Sequence, residues 1–411
     1  MAETNPLFRP LILAVILTGL LCRLAFAVFT PTFYAPDEQA QFNYIQYLSE
    51  HQAFPVLTVI SDKAAGESEY HQPPLYYLAM VLLLRLGQAV FRNLTGTVVF
   101  LRAFSILLWM LNLWFGGILL KRLQIKGRFV WVFVMAFASL LPTYTFVSST
   151  INNDNLLAAL GGGLLCLMAG REQSLRRSLS LGLLLGLALL TKQSAVVFIP
   201  AIVLLSVLDC FRHRIRWSSG LWHLGLTLGV ALLVYLPWMF RNLHVYGTFT
   251  PERLSFNPEI MAAARKVWPS TAYGIASAVH NLVKTFWAVS GISNNVGYPF
   301  PLPGMLLLLL FFIMPLVRTE RKFDPLVAEA NRPVMTAFLF AVLVNILLTL
   351  WFGFLIGMGQ GRHLFPVLFP IALLLAGRLR RIPAKNPELL AAGFWMVYAV
   401  SFTACSLVRF P

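Results

Sequence analysis

Long apolar runs, separated by short polar and basic stretches, dominate the pattern along the chain. A helix rises about 1.5 Å per residue, so crossing the hydrocarbon core takes roughly 20 apolar residues. Eleven runs reach or approach that length and predict an all-α polytopic membrane protein. The predicted spans are 8–29, 97–119, 128–149, 154–170, 178–191, 193–209, 221–240, 302–317, 333–353, 363–377 and 388–408.

A further apolar segment, Pro73 to Phe91, decides on which side every later loop lies. If this segment does not cross, all the short basic loops fall on one side; they lie around residues 121–128, 171–177, 212–216, 318–332 and 378–385. If it crosses, they all move outside, against the retention of positive loops in the cytoplasm. We therefore predict that Pro73 to Phe91 lies along the membrane or re-enters it, with the N-terminus cytoplasmic and the C-terminus external.

This topology gives a single transmembrane domain, 1–411, with two sizeable external loops, 30–96 and 241–301. Both ends of the first loop carry helix-start signals. Pro36 and the two acidic residues after it open a run that reaches about Glu50, and Pro73-Pro74 suits the first turn of a second helix. The first external loop is therefore predicted to contain surface helices.

Composition supports the membrane assignment and narrows the partners. Hydrophobic residues make up 58% of the chain and charged residues only 12%, which excludes a water-soluble fold for most of it. The formal net charge is +16, but the Lys and Arg residues sit in short loops, which indicates topology rather than nucleic-acid binding. The four cysteines lie in apolar segments without metal-ligand spacing and are interpreted as small hydrophobic residues.

The acidic pair Asp37-Glu38 follows the first span closely. A carboxylate at this place could accept a proton from an attacking hydroxyl or bind a metal. Helix capping explains the pair equally well, because acidic residues at a helix N-terminus satisfy free N–H groups and complement the helix dipole. The residues alone leave these two explanations open.

Other polar residues gather on the same predicted face. Glu69, His71 and Tyr76 lie at the second helix start of the first loop and could shape a polar pocket, although an aromatic belt also explains the tyrosines. Asn153 and Asp154 follow the third span, where an ordinary turn before a capped helix is the alternative. We take all five as candidate substrate-binding residues.

Cations also stand on the predicted external side, against the charge bias. They are Lys192, Arg241 and Arg362, with Gln360 and His363 beside the last of these. Buried or misplaced cations favour an anionic partner, and guanidinium groups bind phosphate in a bidentate manner. A clamp for a lipid-linked phosphate or diphosphate is one interpretation. Snorkelling of Lys192 and contacts with anionic membrane lipids are the alternatives.

Together these motifs resemble a family, the membrane glycosyltransferases of the GT-C fold, close to the protein O-mannosyltransferase-like and aminoarabinose-transferase-like group. The resemblance covers most of the chain and rests on the order of short motifs. They are Asp37-Glu38, the stretch from His71 to Tyr77, Leu190-Thr191-Lys192, Pro237-Trp238 with Arg241-Asn242, and Gln360-Gly361-Arg362.

The resemblance implies a GT-C-like helical bundle and sugar transfer from a polyprenyl-phosphate donor. It implies that Asp37 is the first candidate for the catalytic base and Glu38 the second, with Asp154 as a further acidic position. Relatives often have a histidine shortly after the acidic pair, where this chain has Gln39 and Gln41. No metal ligand and no certain cofactor are therefore assigned, and a divalent metal is left open.

The resulting hypothesis is an inverting glycosyltransferase in a bacterial inner membrane with a periplasmic active site. Its acceptor would be a cell-envelope lipid, glycan or protein, activated by Asp37 or Glu38, while cations stabilise the departing phosphate. A transporter or flippase for a lipid-linked or anionic substrate is the rival interpretation, and a glycan polymerase or ligase is a third.

The topology is testable by cysteine labelling with a membrane-impermeant reagent. Cysteines placed near Ser61 and Asn295 are expected to react from outside, whereas one placed near Lys126 is not. External labelling near Lys126 would mean that the segment from Pro73 to Phe91 crosses the membrane.

Overall fold

The structure, a computed structural model, describes residues 7–57, 69–170, 172–212, 215–250, 270–291, 300–313, 326–356, 359–382 and 384–411. Within these ranges the protein is helical and contains no strand. The helices are α1 (Phe8–Phe29), α2 (Glu38–His51), α3 (Leu75–Val90), α4 (Leu94–Arg122), α5 (Arg128–Leu140), α6 (Pro142–Val147), α7 (Asp154–Met168), α8 (Leu175–Leu189), α9 (Phe198–Phe211), α10 (Trp217–Tyr246), α11 (Thr271–Trp287), α12 (Leu302–Ile313), α13 (Arg332–Ile356), α14 (Leu368–Leu379) and α15 (Pro387–Arg409). Three 3₁₀ segments, Gln193–Val197, Glu329–Asn331 and Gly361–Val367, precede α9, α13 and α14.

Seven helical segments of the described chain are long and apolar enough to cross a membrane. They are Phe8–Phe29, Leu94–Arg122, Gln193–Phe211, Trp217–Tyr246, Glu329–Leu355, Gly361–Leu379 and Pro387–Arg409. The chain is therefore a multi-pass α-helical membrane protein, as expected. The remaining predicted spans correspond to the shorter helices α5 with α6, α7, α8 and α12. The total of eleven stays a prediction.

The predicted span 128–149 is not one continuous helix. It breaks between α5 and α6 because Pro142 has no N–H to continue the ladder. The carbonyl groups that the break leaves free find side-chain donors: Trp109 Nε1 donates to Ala138 O at 3.2 Å, and Arg23 Nη1 donates to Ser139 O at 2.6 Å. The carbonyl oxygens at the interruption thus accept hydrogen bonds from side chains inside the bundle and not from water.

Arg23 lies fully buried in α1 and holds this break together. Its Nε donates to Ser148 Oγ at 2.8 Å, and its guanidinium lies 3.9 Å from the centroid of the Trp109 ring. No acidic side chain in the described ranges pairs with it. Carbonyl dipoles at the end of α5 and the indole face take the place of a counter-ion.

In the segment 241–301, the predicted second external loop, the structure continues α10 for several residues and contains a helix that was not predicted. The polar residues from Arg241 onward end the apolar run but not the helix, which continues to Tyr246 and stops at Gly247 with a positive φ of 68°. Farther along, α11 buries one face against α13 and the segment Gly361–Val367. The sequence of α11 alternates polar and apolar positions, so it contains no continuous apolar run long enough to predict a membrane span.

The segment 30–96, the predicted first external loop, contains the two predicted helices, α2 and α3. α2 ends at His51, one residue beyond the predicted limit, and α3 starts directly after Pro73-Pro74. α3 has 16 residues, about 24 Å of helix, and packs on α2 and α4. Its length falls short of a full span, whereas its position along the membrane surface stays a prediction. Ser61 and Asn295, the labelling positions, lie outside the described residues.

A buried ion pair between Glu38 and Arg102 joins this loop to the bundle. Arg102 Nε and Nη2 donate to the two carboxylate oxygens of Glu38 at 2.9 and 2.7 Å. The other N–H groups of Arg102 donate to the carbonyl oxygens of Ala27, Thr30 and Pro31 at 2.7–3.0 Å, so all five donors are used. Glu38 also accepts from the backbone N–H of Ile151 at 3.0 Å. One carboxylate thereby fixes the end of α1, the start of α2 and the segment before α7.

Glu38→Gln is expected to lower the free energy of unfolding by about 3–5 kcal/mol, because it leaves the Arg102 charge buried without its partner. The measurement is thermal or denaturant unfolding of the purified protein in one detergent. The matched control is Glu50→Gln on the exposed side of α2, where a change within about 0.5 kcal/mol is expected. Equal stability of the two variants would contradict the structural role of Glu38.

Candidate active site

Asp37 directly precedes α2, in a left-handed backbone conformation with φ of 60°. Its side chain makes no capping hydrogen bond to α2. It accepts instead a hydrogen bond from Arg362 Nη2, from a segment more than three hundred residues away. The Arg362 guanidinium lowers the pKa of the Asp37 carboxyl from its ordinary value and holds it anionic. Capping by the Asp37 side chain, one of the two explanations open at first, was wrong.

Asp154 is the first residue of α7 and is almost fully buried. Lys192 Nζ donates to its Oδ1 at 2.6 Å, while Arg362 Nε lies 3.6 Å from its Oδ2. The Asn152 side chain accepts from the Asp154 backbone N–H at 2.9 Å and shapes the turn before the helix. Asp154 thus holds two cations side by side.

Arg362 links the two aspartates and keeps unused donors. It is 7% exposed and reaches Asp37 with Nη2 alone. Its Nε and Nη1 are buried and have no hydrogen-bond partner among the described residues. Burial of guanidinium N–H groups without hydrogen-bond acceptors is unfavourable in free energy. An anionic ligand with several acceptor oxygens would offset this cost.

Three side chains hold the backbone that carries Arg362. Asn281 donates to Gly359 O at 2.7 Å, the Gly361 N–H donates to Thr285 Oγ1 at 2.7 Å, and Asn345 donates to His363 O at 3.0 Å. Gly361 is required by space, since a Cβ there would lie 2.2 Å from the backbone of Phe286. None of the three holding residues was predicted, although an amide inside an apolar helix such as α13 was the available signal.

Lys192 is placed by the turn between α8 and the segment Gln193–Val197. The Leu75 N–H donates to Leu190 O at 3.0 Å, so the start of α3 docks on this turn. The Pro-Pro start of α3 and the Thr191-Lys192 turn therefore form one corner of the site. More than a hundred residues separate these two motifs in the sequence. Lys192 is 16% exposed and lies at the edge of the cluster.

Glu69 lies in the turn before α3, where its carbonyl oxygen accepts from the Gln72 N–H at 2.9 Å. No hydrogen bond or ion pair to its carboxylate occurs within the described ranges. Burial, together with the negative charges of Asp37 and Asp154, raises the pKa of Glu69 to about 7, against the opposing effect of Lys192 and Arg362. Glu69 differs in this respect from Asp37, whose pKa is lowered.

Of the two neighbouring tyrosines, Tyr77 rather than Tyr76 faces the cluster. Asn153 Nδ2 donates to the Tyr77 hydroxyl at 3.2 Å, and the Tyr77 ring stacks on Tyr44 with centroids 3.8 Å apart. Tyr76, the predicted residue, is fully buried on the side of Glu38. Successive residues of a helix point about 100° apart, so one of the pair had to turn away; the stretch of sequence did not show which.

Arg241 does not join the charged cluster. Its Nη2 donates to Pro55 O at 2.5 Å, and its guanidinium lies 4.8 Å from the Trp238 ring centroid and 5.0 Å from that of Tyr246. Tyr246 also accepts from the Leu57 N–H at 2.9 Å. These contacts fasten the first external loop to the end of α10, so Arg241 anchors the loop rather than standing beside Arg362.

The other predicted residues lie around the cluster. The buried His71 side chain lies 3.2 Å, Nε2 to Nε2, from Gln72. His363 places its ring against Phe352, with centroids 5.9 Å apart, and lies within the field of Asp154 and Lys192. Gln360 lines a small cavity together with Arg362 and Pro36.

A divalent metal does not fit the side chains in this arrangement. Among the described residues, no group of three or more His, Cys, Asp and Glu side chains is placed to hold one. The two aspartates that contact Arg362 are already engaged, Asp37 by Arg362 and Asp154 by Lys192 and Arg362. The charges of the two carboxylates and the two cations already cancel. A bound divalent cation would therefore leave the cluster with an uncompensated positive charge.

Comparison with solved structures identifies the fold. No known family profile matches the sequence, and no curated protein does. The chain is similar to ArnT from Cupriavidus metallidurans bound to undecaprenyl phosphate, with a TM-score of 0.56 and 15% identity over 97% of this chain and 70% of ArnT. It is also similar to the Archaeoglobus fulgidus oligosaccharyltransferase in complex with Zn and sulfate, with a TM-score of 0.54 and 13% identity over 97% of this chain and 52% of that protein. At such identities the likeness concerns the fold alone: the chain has the GT-C fold.

Proposed function

We propose that this protein is a membrane glycosyltransferase that moves a sugar from a polyprenyl-phosphate donor to an acceptor at the external membrane surface. The observation that carries the proposal is Arg362, a buried guanidinium that shares Asp154 with Lys192 in a GT-C fold and whose Nε and Nη1 have no hydrogen-bond partner among the described residues. The solved ArnT structure, with the same fold, contains undecaprenyl phosphate. A lipid-linked phosphate is therefore the anion that this corner of the fold would bind.

Charge and geometry favour a phosphate over a carboxylate as the ligand. Two nitrogens of Arg362, Nε and Nη1, have no hydrogen-bond partner among the described residues, and Lys192 adds a point charge at the edge of the cluster. A phosphate supplies several acceptor oxygens and gains charge as the bond to the sugar breaks. Asp154 orients both cations before the donor arrives, so little reorganisation accompanies transfer. Arg241, which lies against Pro55, is not part of this clamp.

The reaction proposed is a displacement at the anomeric carbon with inversion. The acceptor attacks this carbon and gives its proton to a carboxylate of the site, the carbon–oxygen bond to phosphate breaks, and polyprenyl phosphate leaves toward Arg362 and Lys192. Asp37 lies beside Arg362 and is in place to orient the reacting groups. Glu38, the second candidate for the base, is committed to Arg102 and Ile151, and we assign it a structural role.

The proposed setting is a bacterial inner membrane with the site in the periplasm. The support is the charge bias of the loops together with the position of Asp37, Asp154 and Lys192 at one end of the helices α2, α7 and α8. The acceptor would be a lipid, glycan or protein of the cell envelope.

Donor binding tests the clamp. Arg362→Gln and Lys192→Gln are each expected to weaken binding of undecaprenyl phosphate and to lower the transfer rate by about 10²–10³-fold, because each removes a charge from the developing phosphate. Binding is measured by native mass spectrometry or by competition in detergent, and transfer by product analysis. Lys126→Gln removes an exposed lysine near the other end of α4 and is expected to leave both unchanged.

Binding and transfer that match the wild type in both clamp variants would overturn the proposed role of the cations. Donor binding without any sugar transfer, accompanied by movement of the lipid across the membrane, would support the transporter or flippase interpretation instead.

We further propose that the cluster works without a divalent metal, since Arg362 lies between the two aspartates that would bind one. A chelator is expected to leave the transfer rate unchanged, and Mn²⁺ is expected not to bind the wild-type protein, as measured by its electron paramagnetic resonance signal. In Arg362→Gln the two aspartates lose their shared cation, so Mn²⁺ binding is expected to appear or strengthen. Loss of activity on chelation, restored by added metal, would contradict this proposal.

A further inference from the structure

The backbone next to Arg362 lies between two helices, α11 and α13, and two glycines allow the close approach. A Cβ at Gly361 would lie 2.2 Å from the backbone of Phe286 in α11, and a Cβ at Gly359 would lie 2.5 Å from the carbonyl oxygen of Thr349 in α13. A larger residue at either position would therefore push the chain away from one of the two helices. The backbone that leads into Arg362 is thus in direct contact with both.

The hydroxyl group of Thr285 in α11 acts as both donor and acceptor at this contact. It donates to the carbonyl oxygen of Asn281, one turn earlier in α11, at 2.6 Å, and it accepts from the backbone N–H of Gly361 at 2.7 Å. The side chain of Asn281 donates in turn to the carbonyl oxygen of Gly359 at 2.7 Å. Thr285 is buried, and these three hydrogen bonds hold the backbone at both glycines.

We propose that Thr285 is a positioning residue for sugar transfer: it fixes the place of Arg362 through the backbone of Gly361 and touches neither the donor nor the acceptor. This inference rests on the proposed function and deepens it, because it identifies what holds the arginine of the phosphate clamp in place before the donor binds. It also assigns a part in transfer to α11, a helix that contributes no side chain to the described ion pairs of the site.

The geometry of a guanidinium explains why its backbone must be held. A guanidinium binds phosphate through N–H groups in a fixed planar arrangement, so a small displacement of the residue turns several donors away from the phosphate oxygens together. Asp37 and Asp154 restrain the side chain of Arg362, whereas Thr285 restrains its backbone. A displacement of about 1 Å can lower a rate by about 10²-fold. We therefore expect the Thr285 hydroxyl to affect transfer from a distance.

Contacts on the other side of Arg362 do not depend on Thr285. Asn345 in α13 donates to the carbonyl oxygen of His363 at 3.0 Å, and the His363 ring lies against Phe352. Loss of the Thr285 hydroxyl is therefore expected to shift the arginine while the segment Gly361–Val367 stays attached to the bundle.

The test is a double-mutant cycle in the full-length protein, measured as binding of undecaprenyl phosphate and as transfer rate. Thr285→Val keeps the size of the side chain but leaves the Gly361 N–H buried without an acceptor. It is expected to weaken binding and to lower the transfer rate by about 10–10²-fold. In an Arg362→Gln background the same change is expected to have no further effect, because Thr285 acts through Arg362. In a Lys192→Gln background, which retains Arg362, a further loss is expected.

Two single variants complete the experiment. Thr285→Ser retains the hydroxyl and is expected to bind and transfer like the wild type. Thr97→Val is the matched control, because the buried Thr97 hydroxyl donates to the carbonyl oxygen of Asn93 in its own helix at 3.1 Å; both measurements are expected to stay unchanged. If Thr285→Val fails to fold, Asn281→Ala, which removes the bond to Gly359, passes through the same cycle with the same expected pattern.

Two results would overturn the inference: wild-type binding and transfer in Thr285→Val, or an equal further loss in the Arg362→Gln and Lys192→Gln backgrounds, which is the behaviour of a purely structural residue. Both leave the proposed function intact, because the wild type still binds the donor lipid and transfers sugar. Failure of the wild type to bind undecaprenyl phosphate or to transfer sugar would instead refute the proposed function, and this inference with it.

Discussion

The buried pair of Glu38 and Arg102 is the constraint on which the geometry of the site depends. Arg102 comes from a membrane helix, α4, and every one of its donors is spent on the first external loop and its junction with α1. Glu38 completes the link by accepting from Ile151, three residues before Asp154. The loop that carries Asp37 and the turn that carries Asp154 are therefore held by the same carboxylate. Such a pair contributes more to a unique arrangement than to net stability, because desolvation offsets much of its attraction.

Asp37 and Glu38 are adjacent in sequence and chemically alike, yet they have different environments. Asp37 precedes α2 in a left-handed backbone conformation, whereas Glu38 is the first residue of the helix, so the two carboxylates face different partners. Glu38 points into the bundle toward Arg102, and Asp37 points toward Arg362 in the opposite half of the chain. A motif of two acids therefore provides one structural residue and one residue of the site.

Much of the site could be predicted because misplaced charge is costly in a membrane and stands out in an apolar sequence. Lys192 and Arg362 were singled out on that ground, whereas Asp37 and Asp154 were singled out as carboxylates at predicted helix starts, and the structure brings the four together. Arg241 satisfied the same criterion but is bound to a loop carbonyl, because a cation at a helix end can find a partner in the protein itself. The choice of Tyr77 over Tyr76 and the support of Gly361 by Thr285 depend on helix rotation and on long-range packing. Neither helix rotation nor long-range packing can be predicted from a local sequence pattern.

The fully buried Arg23 has a consequence for how the protein is made. It belongs to the first helix, but its partners Ser139 and Ser148 lie 116 and 125 residues further along the chain. An arginine in a membrane helix makes insertion less favourable, by about 2.5–3.5 kcal/mol at the helix centre and by less toward its ends, until such partners exist. Arg102, by contrast, meets a loop that has already been synthesised, because Ala27, Thr30 and Glu38 all precede it. The partners of Arg23 are therefore synthesised well after α1. The first helix reaches its full set of contacts only when α5, α6 and the break between them have been made.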